Sequence, residues 1–577
     1  VFKKLTAACR PDAVLGTNTS SFAVTDLAEG MDHPERIIGL HYFYHPAKNR
    51  LVEVIPGKAS DPEVIRRAWA VQEQIGKTPI HSADASGFIV NRYFVPWLNE
   101  AVRLLEEGAA DIPTIEAAAK KAFGVGMGPF ELMNVTGVPI ALHAATTLGQ
   151  AFGPMYAPAA RLAAQVQSGA RWPLEGAVDE AKMPAVADRL LAVTFLVAAA
   201  LADEKVGSIE DTDIGARVGL RWPRGPFELM NRMGTDKAAA LVESFAARWS
   251  VPVPKTLRDQ AATGQPFSFE LVKSAVAGGI ATLTVQRPDA MNALNEAVVT
   301  QLRERFDAVA ADPEVKGIVL AGSGKAFVAG ADIRFFVKNI EAKDLQRIWD
   351  FTKAGQDLLD AIDRCPKPVA ARLHGLSLGG GVELALACDY LIATPNASLA
   401  FPETGIGIYP GLGGTQRTSR RVGTGLARWL VFTGQTLGAE EAKSIGLVDE
   451  VVAHAELDSA IAAALARGVP GERAKKALGP KHAAIEAFFS KNDADALREG
   501  KADTGGDEGL AKAMKRVAHK APIALRLSQK LIDEGSRVSL AEGLAMELSH
   551  LHEIFGTRDA YEGLSTLGKK APVFEGH

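Results

Sequence analysis

Hydrophobic and polar positions change period several times over the first part of the chain. Apolar runs of strand length occur at 13–21, 36–43 and 50–57, and positions 62–76 follow helical spacing. Strand patterns that alternate with helix patterns are typical of a parallel α/β sheet. We therefore predict a sheet domain of this class over residues 1–85.

The pattern then becomes helical, and it contains an internal repeat. Its most apolar run, at 190–202, is shorter than the ~20 residues of a membrane span and predicts a buried helix. The string GPFELMN occurs twice, from Gly128 and from Gly225, 97 residues apart (225 − 128). This period indicates two copies of one helical domain, placed at 86–175 and 176–250. Proline at a helix start after glycine favours a structural role for the string.

The next segment, at 251–266, is rich in proline, glycine and polar residues and predicts a linker. Directly after it, the pattern FELVKSAVAGGIATLTVQR predicts two strands joined by Ala-Gly-Gly. We treat residues 267–577 as a separate domain.

Composition narrows the class of protein. With 47% hydrophobic and 23% charged residues, the chain has the make-up of a soluble globular protein. A formal net charge of −4 gives no electrostatic case for nucleic acid or an anionic membrane as a partner. Three scattered cysteines without a Cys-x-x-Cys pair indicate neither a disulfide framework nor a zinc site, and they favour the reducing cytoplasm.

Two glycine-rich helix starts carry the candidate chemistry of the last domain. Three glycines at 379–381 open an apolar helix that contains Glu383, and Glu403 precedes a second glycine-rich turn, PGLGGTQ. N–H groups at a helix start can hold a developing oxyanion. Two glutamates beside such starts are a candidate acid/base pair, although a single glutamate there more often serves the helix dipole or lies in solvent. The small-residue loop at 322–336 is a candidate second donor.

Four ordered motifs of this domain resemble the crotonase, or enoyl-CoA hydratase, superfamily. They are RPDAMNALN from Arg287, AGAD from Ala329, GGGVELALACD from Gly379 and FPETGIGIYPGLGGTQR from Phe401. The resemblance implies the superfamily's spiral, ClpP-like α/β fold over 267–577. It also implies acyl-CoA thioesters as substrates, with coenzyme A as part of the substrate and with neither a metal nor another cofactor for hydration.

The same resemblance implies roles for four positions. The backbone N–H groups of Ala331 and Gly380 would bind the thioester oxygen, as an oxyanion hole. Glu383 would activate the water, and Glu403 would exchange the proton at C2 of a trans-2-enoyl-CoA.

Motifs near the start of the chain resemble the back part of the L-3-hydroxyacyl-CoA dehydrogenase family. They are, in order, TNTSSFAVTDLA, RIIGLHYFYHPAKNRLVEVI, SGFIVNR and GMGPFELMN. The resemblance implies a catalytic dyad of His41 and Glu53, substrate binding by Ser20 and Asn91, and NAD as cofactor. It also implies that the second helical copy stands in for a partner subunit. The segment YHPAKNR stands where the family often has a short Asn-Pro segment. This departure affects the expected shape of the acyl pocket and not the dyad.

A strand, a Gly-x-Gly-x-x-Gly turn and a helix hold the pyrophosphate in such NAD domains. Neither glycine cluster, at 124–128 or at 405–414, follows a strand of a βαβ unit. The first residue is Val1 rather than Met. We expect an N-terminally truncated, partial NAD domain that does not oxidise 3-hydroxyacyl-CoA by itself.

Taken together, the chain resembles a multifunctional fatty-acid β-oxidation enzyme with the dehydrogenase first. The expected fold is α/β multidomain: a partial Rossmann-like parallel sheet, two repeated all-helical domains and a crotonase domain. A thiolase is a candidate partner. Two other functions stay open, an enoyl-CoA isomerase, which keeps only the carboxylate at Glu403, and a non-catalytic acyl-CoA-binding or scaffold subunit. The presence of Glu383 favours hydration.

Overall fold

The computed structural model describes residues 1–20, 22–471 and 474–577. The chain divides into two units, Val1–Phe269 and Glu270–His577. The first unit contains α1 (Phe2–Ala8), β1 (Leu15–Thr17), α2 (Val24–Ala28), β2 (Ile37–Tyr42), β3 (Leu51–Pro56), α3 (Pro62–Gln74), β4 (Thr78–His81), α4 (Val90–Glu106), α5 (Ile112–Phe123), α6 (Pro129–Thr136), α7 (Val138–Phe152), α8 (Ala160–Ser168), α9 (Met183–Asp203), α10 (Ile209–Ile214), α11 (Pro226–Met233), α12 (Thr235–Trp249) and α13 (Lys255–Thr263).

The sheet of the first unit is mixed rather than parallel, in the order β1-β2-β3-β4. Pairs β1–β2 and β3–β4 are parallel, but β2 and β3 are antiparallel. The prediction of a parallel sheet is therefore wrong at this pair. Only the short segment 43–50 joins the two strands, and a parallel pair would need a crossover of a dozen residues or more.

The repeated string GPFELMN has a structural role, as predicted, and a buried carboxylate explains it in the first copy. Glu116 of α5 accepts hydrogen bonds from the N–H groups of Phe130 and Glu131, at 2.7 and 3.3 Å, in the first turn of α6. A Cβ at Gly128 would collide with this carboxylate. The glycine therefore leaves the space in which Glu116 caps the helix.

The second copy repeats this arrangement with a shorter side chain. Asp213 accepts from the N–H groups of Phe227 and Glu228, at 2.8 and 2.9 Å, and a Cβ at Gly225 would collide with it. The two capping residues, Glu116 and Asp213, are also 97 positions apart (213 − 116). The repeat thus keeps a helix cap in both copies, and burial raises the pKa of Asp213 to about 7.

We expect Asp213→Ala to lower the free energy of unfolding of the first unit by about 1–2 kcal/mol, because two N–H groups of α11 lose their acceptor. Urea denaturation followed by tryptophan fluorescence, to which the buried Trp97 and Trp222 of this unit contribute, measures the change. Glu243→Ala, at an exposed position of α12, is the matched control and should change stability by less than about 0.5 kcal/mol. Equal stabilities of the two variants would contradict the capping role.

Two other segments of the first unit were predicted from composition. Residues 251–266 do not form a simple linker, because they contain α13, whose Leu257 is fully buried in the unit's core. The buried helix predicted at 190–202 lies within α9, which packs against α4, α5 and α12. Among the described residues, α9 is the one helix long and apolar enough to cross a membrane, and 67% of its most apolar stretch is buried in the protein.

The second unit contains β5 (Val272–Ala277), β6 (Ile280–Val285), α14 (Glu296–Ala311), β7 (Gly317–Gly322), β8 (Ala326–Ala329), α15 (Ile333–Glu341), α16 (Leu345–Asp363), β9 (Val369–Leu373), β10 (Leu376–Leu378), α17 (Gly380–Leu386), β11 (Tyr390–Ala393), β12 (Ser398–Ala400), α18 (Gly414–Val422), α19 (Thr424–Thr433), β13 (Leu437–Gly438), α20 (Ala439–Ser444), β14 (Glu450–Val451), α21 (Leu457–Leu465), α22 (Pro480–Lys491), α23 (Ala494–Arg498), α24 (Glu508–Val517), α25 (Pro522–Gly535), α26 (Leu540–Ser549), α27 (Leu551–Phe555) and α28 (Arg558–Thr566).

Two sheets organise this unit. One has the order β14-β11-β9-β7-β6-β5 and the other β13-β12-β10-β8. Their pairs are parallel except β5–β6, the hairpin predicted around Ala-Gly-Gly, and β12–β13. Every residue of α17 is buried, and this helix packs against β8 and α18. The helix that carries Glu383 therefore lies inside the core of the unit.

Candidate active sites

In the second unit, the turn from β10 into α17 brings the two predicted glutamates together. Gly379, between strand and helix, has φ +47°, a conformation that glycine adopts without strain. A Cβ at Gly379 would collide with Oε1 of Glu403. Glu403 itself opens a 3₁₀ turn over Glu403–Ile406. Glycine at this position therefore lets the second carboxyl approach the start of the helix of Glu383.

Both carboxyl groups are buried, with 2% of Glu383 and 7% of Glu403 exposed. Oε1 of Glu383 accepts two hydrogen bonds, from the N–H groups of Leu412 and Gly414, each at 2.7 Å. Oε2 of Glu403 has no hydrogen-bond partner among the described residues. The first carboxyl is thus held by the backbone, and the second has an oxygen that no protein group holds in the described part of the chain.

The different surroundings of Glu383 and Glu403 give the two carboxyl groups different pKa values. Burial raises the pKa of Glu383 to about 7, and the two N–H groups with the Arg417 guanidinium oppose that rise. Burial, and then the charge of Glu383, raises the pKa of Glu403 well above its usual range. Glu403 therefore keeps its proton under conditions in which Glu383 has lost its own.

The two predicted backbone donors lie in the same site. Gly380 is the first residue of α17, where an N–H has no acceptor within the helix. Leu294 donates to the carbonyl of Gly330 and accepts from the N–H of Asp332, so the N–H of Ala331 points away from this bridge. Within the described part of the chain, neither donor has an acceptor.

A cavity of about 630 Å³ contains all four predicted groups in its wall: Ala331, Gly380, Glu383 and Glu403. The rest of the wall is mainly apolar and includes Phe336, Phe351, Leu412, Leu551, Phe555 and Leu564. The site therefore joins an acid, a base and two N–H donors to a space that accepts an apolar chain.

In the first unit, the antiparallel pairing of β2 and β3 places His41 directly opposite Glu53. Nδ1 of His41 lies 2.6 Å from Oε2 of Glu53, and both side chains are buried. The other oxygen of Glu53 accepts from the N–H groups of Ile89 and Val90 at the start of α4, at 3.1 and 2.9 Å. A carboxylate fixed in this way holds the Nδ1 proton of His41 and leaves Nε2 as the acceptor.

A second cavity, of about 640 Å³, lies beside this dyad. His41, Ser20 and Asn91 line it, whereas Glu53 lies behind His41. Apolar residues of the first helical copy form much of the wall, among them Phe94, Met127, Leu132, Val135, Ile140 and Leu148. The cavity accepts an apolar group next to the imidazole.

Comparison with known proteins decides the family. The model "Enoyl-CoA hydratase/isomerase" matches residues 280–573, half of the chain. The chain belongs to the enoyl-CoA hydratase/isomerase family. The model "3-hydroxyacyl-CoA dehydrogenase, NAD binding domain" matches 1–85, and the model of the C-terminal domain of that dehydrogenase matches twice, at 87–171 and 186–266. The chain is thus a multifunctional arrangement of both families, as the motifs predicted.

Two known hydratases are similar to this chain. A crotonyl-CoA hydratase of Syntrophomonas wolfei is 34% identical over 292 residues, which are 50% of this chain and 92% of that protein. A short-chain-enoyl-CoA hydratase of Clostridium acetobutylicum is 32% identical over 299 residues, 51% of this chain and 94% of that protein. Both matches concern about half of the chain.

The match to an NAD binding domain raises the question of whether the residues present fit NAD. The pyrophosphate of NAD needs a strand that runs into a Gly-x-Gly-x-x-Gly turn at a helix start. In residues 1–20 and 22–85, β1 leads into Asn18, Thr19 and Ser20, and β3 leads into Gly57–Asp61. These described residues do not supply the pyrophosphate end of an NAD site.

One buried residue beside the hydratase site escaped the motif analysis. Glu547 of α26 is fully buried and contacts the same turn as Glu383. It lies in helical register with Leu544, Leu548 and Leu551, all buried. A glutamate three positions after Leu544, within an otherwise apolar stripe of a helix, is the sequence pattern from which Glu547 could have been predicted.

Proposed function

We propose that the second unit adds water to a trans-2-enoyl-CoA and forms an L-3-hydroxyacyl-CoA. The observation that carries this proposal is the pair of buried carboxyls, Glu383 and Glu403, with different proton affinities in one cavity. Addition of water needs a base for the water and an acid for the carbon. Two N–H donors at Ala331 and Gly380 are what a thioester oxygen needs when it gains charge.

The geometry supports an assignment of the steps. Oε1 of Glu383 is occupied by two N–H groups, so Oε2 accepts a proton from the water as its oxygen bonds to C3. The electron pair of the C2–C3 double bond moves towards the thioester, and the oxygen's charge is held by the N–H groups of Ala331 and Gly380. Glu403 then delivers its proton to C2. The product gains the water's OH at C3 and the proton of Glu403 at C2. The proton that the water gave to Glu383 then passes through solvent to Glu403, which restores both groups for the next turnover.

The two alternatives explain less of the site. An isomerase moves one proton between C2 and C4 and uses one carboxyl, which leaves the held carboxylate of Glu383 without a task. A non-catalytic acyl-CoA-binding subunit would have no use for two buried acids whose proton affinities differ, since burial of each acid is unfavourable.

The direct test is to mix the full chain with crotonyl-CoA and follow the loss of the absorbance of its enoyl thioester. The product is then identified. We expect a 3-hydroxybutyryl-CoA of a single configuration. Conversion of 3-enoyl-CoA to 2-enoyl-CoA without hydration would support the isomerase instead. Binding of crotonyl-CoA without any turnover would support the binding subunit.

The raised pKa of Glu383 predicts the pH dependence of hydration. The active form needs Glu383 ionised, so kcat/KM should fall as the pH drops below about 7, by about tenfold per unit. At higher pH, kcat/KM should fall again as Glu403 loses its proton. Initial rates with crotonyl-CoA from about pH 5 to about pH 9 check this profile. A rate that stays constant from about pH 7 to about pH 5 would contradict the base assignment.

For the first unit, we propose a site for 3-hydroxyacyl-CoA, supported by His41 and its cavity. Nε2 of His41 is the atom that would accept the proton of the 3-hydroxyl group, and Glu53 would hold the resulting imidazolium. Ser20 and Asn91 line the same cavity and would bind the oxygen atoms of the substrate. Oxidation would also need NAD as the hydride acceptor, and because residues 1–20 and 22–85 do not supply the pyrophosphate end of its site, we propose that this chain does not oxidise the substrate by itself.

A further inference from the structure

A third buried carboxyl, that of Glu547, lies beside the site of Glu383. Oε2 of Glu547 accepts the N–H of Gly413 at 2.7 Å and the amide N–H of Gln356 at 3.2 Å. Its Oε1 accepts the hydroxyl of Thr415. Glu547 therefore holds the start of α18 through Gly413 and Thr415.

Glu547 and Glu383 bind alternate N–H groups of one turn. Leu412 and Gly414 donate to Glu383, whereas Gly413, which lies between them, donates to Glu547. Gly413 has φ +97°, so the chain reverses there in a conformation that favours glycine. The turn is thereby clamped between two carboxyl groups.

Two further hydrogen bonds attach the same turn to α26 and α16. The hydroxyl of Tyr409 donates to the backbone carbonyl of Glu547, and Gln356 donates to the carbonyl of Gly411 at 2.9 Å. Tyr409 and Gly411 also line the cavity. Displacement of α26 would therefore move the wall of the hydratase site.

We propose that Glu547 is a positioning residue for hydration, which fixes Gly413 and so keeps the N–H groups of Leu412 and Gly414 on Oε1 of Glu383. With Oε1 fixed, Oε2 of Glu383 keeps its orientation towards the attacking water. This inference rests on the proposed hydratase function.

The charges around Glu547 indicate which substitution preserves the clamp. Burial and the charge of Glu383 raise the pKa of Glu547 to about 8, and the hydroxyl of Thr415, the N–H of Gly413 and the charge of Arg417 oppose the rise. Other titratable groups that face this pair from the packed elements are Glu403, Tyr409, Arg420 and, through its ion pair with Arg417, Asp363. A neutral carboxyl still accepts the N–H of Gly413, and so does the carbonyl of a glutamine.

The experiment is a double-mutant cycle in the full chain, with crotonyl-CoA hydration as the assay. We expect Glu547→Gln to keep kcat within about threefold, and Glu547→Ala to lower kcat by about tenfold or more with KM changed by less than about threefold. In the Glu383→Gln background, Glu547→Ala should lower kcat no further, because Glu547 acts through Glu383.

Controls separate positioning from stability. Glu542→Ala removes a capping interaction at the exposed start of the same helix and should leave kcat unchanged. If far-UV circular dichroism shows that Glu547→Ala does not fold, Glu547→Asp, which withdraws the carboxyl by one methylene, takes its place and should show the same loss.

Equal losses from Glu547→Ala in both backgrounds would overturn the inference, and so would an unchanged kcat. An unmodified chain that does not hydrate crotonyl-CoA would instead refute the proposed function.

Discussion

Replacement of Glu403 or Glu383 by glutamine should lower the kcat of hydration by about 100-fold or more, the usual size of acid–base effects. In Glu403→Gln, the new amide has the shape of the protonated carboxyl but cannot release a proton to C2. In Glu383→Gln, the carbonyl of the new amide can still accept the N–H groups of Leu412 and Gly414, so the turn keeps its place while the base is lost. The decay of crotonyl-CoA absorbance measures both variants.

Glu440→Gln, at an exposed position of α20, is the matched control and should hydrate at the unmodified rate. Neither active-site variant should be less stable, because each removes a buried ionisable group. The two substitutions also discriminate between functions. If Glu383→Gln left the conversion of a 3-enoyl-CoA to a 2-enoyl-CoA intact while Glu403→Gln abolished it, the site would be that of an isomerase.

Part of the candidate chemistry of the second unit could be predicted because Gly379, Gly380 and Glu383 lie in one short string, whereas Ala331 lies 49 positions before Gly380 (380 − 331) and the separate roles of the four groups came from the family resemblance. Gly380 and Glu383 belong to one helix start, and the Gly379 that admits Glu403 immediately precedes them. Backbone donors and glycine turns of this kind are local, so a short string of residues indicates them. Glu547 lies 134 positions from the Gly413 that it holds, and no local pattern could predict that contact.

The errors in the first unit have the same origin. Apolar runs identified β2 and β3 to within a residue or two, but strand direction depends on the connection, and segment 43–50 is too short for a parallel pair. The antiparallel pairing is what places Glu53 opposite His41. Likewise, the proline- and glycine-rich composition of 251–266 is typical of linkers, but the burial of Leu257 decides its structure. In this segment, burial of a side chain in the folded core determines the structure, and the local composition does not predict it.

The oxyanion hole gives the second large effect. Gly380→Pro should lower kcat by about 100- to 1,000-fold, because proline has no N–H and one donor to the thioester oxygen is lost. Gly380 is the first residue of α17, a position where helices accept proline, so the helix itself should persist.

Gly380→Ala is the control for the added side-chain volume, because alanine keeps the N–H. Its Cβ would lie 3.3 Å from Leu412 Cδ1 and 3.4 Å from Leu294 Cδ1, a tight but adjustable contact with two flexible side chains. We therefore expect alanine to lower kcat only about tenfold or less, with proline far below it, when both proteins show unchanged circular dichroism. Equal kcat values for the two variants would mean that space, not the N–H of Gly380, is what the site requires here.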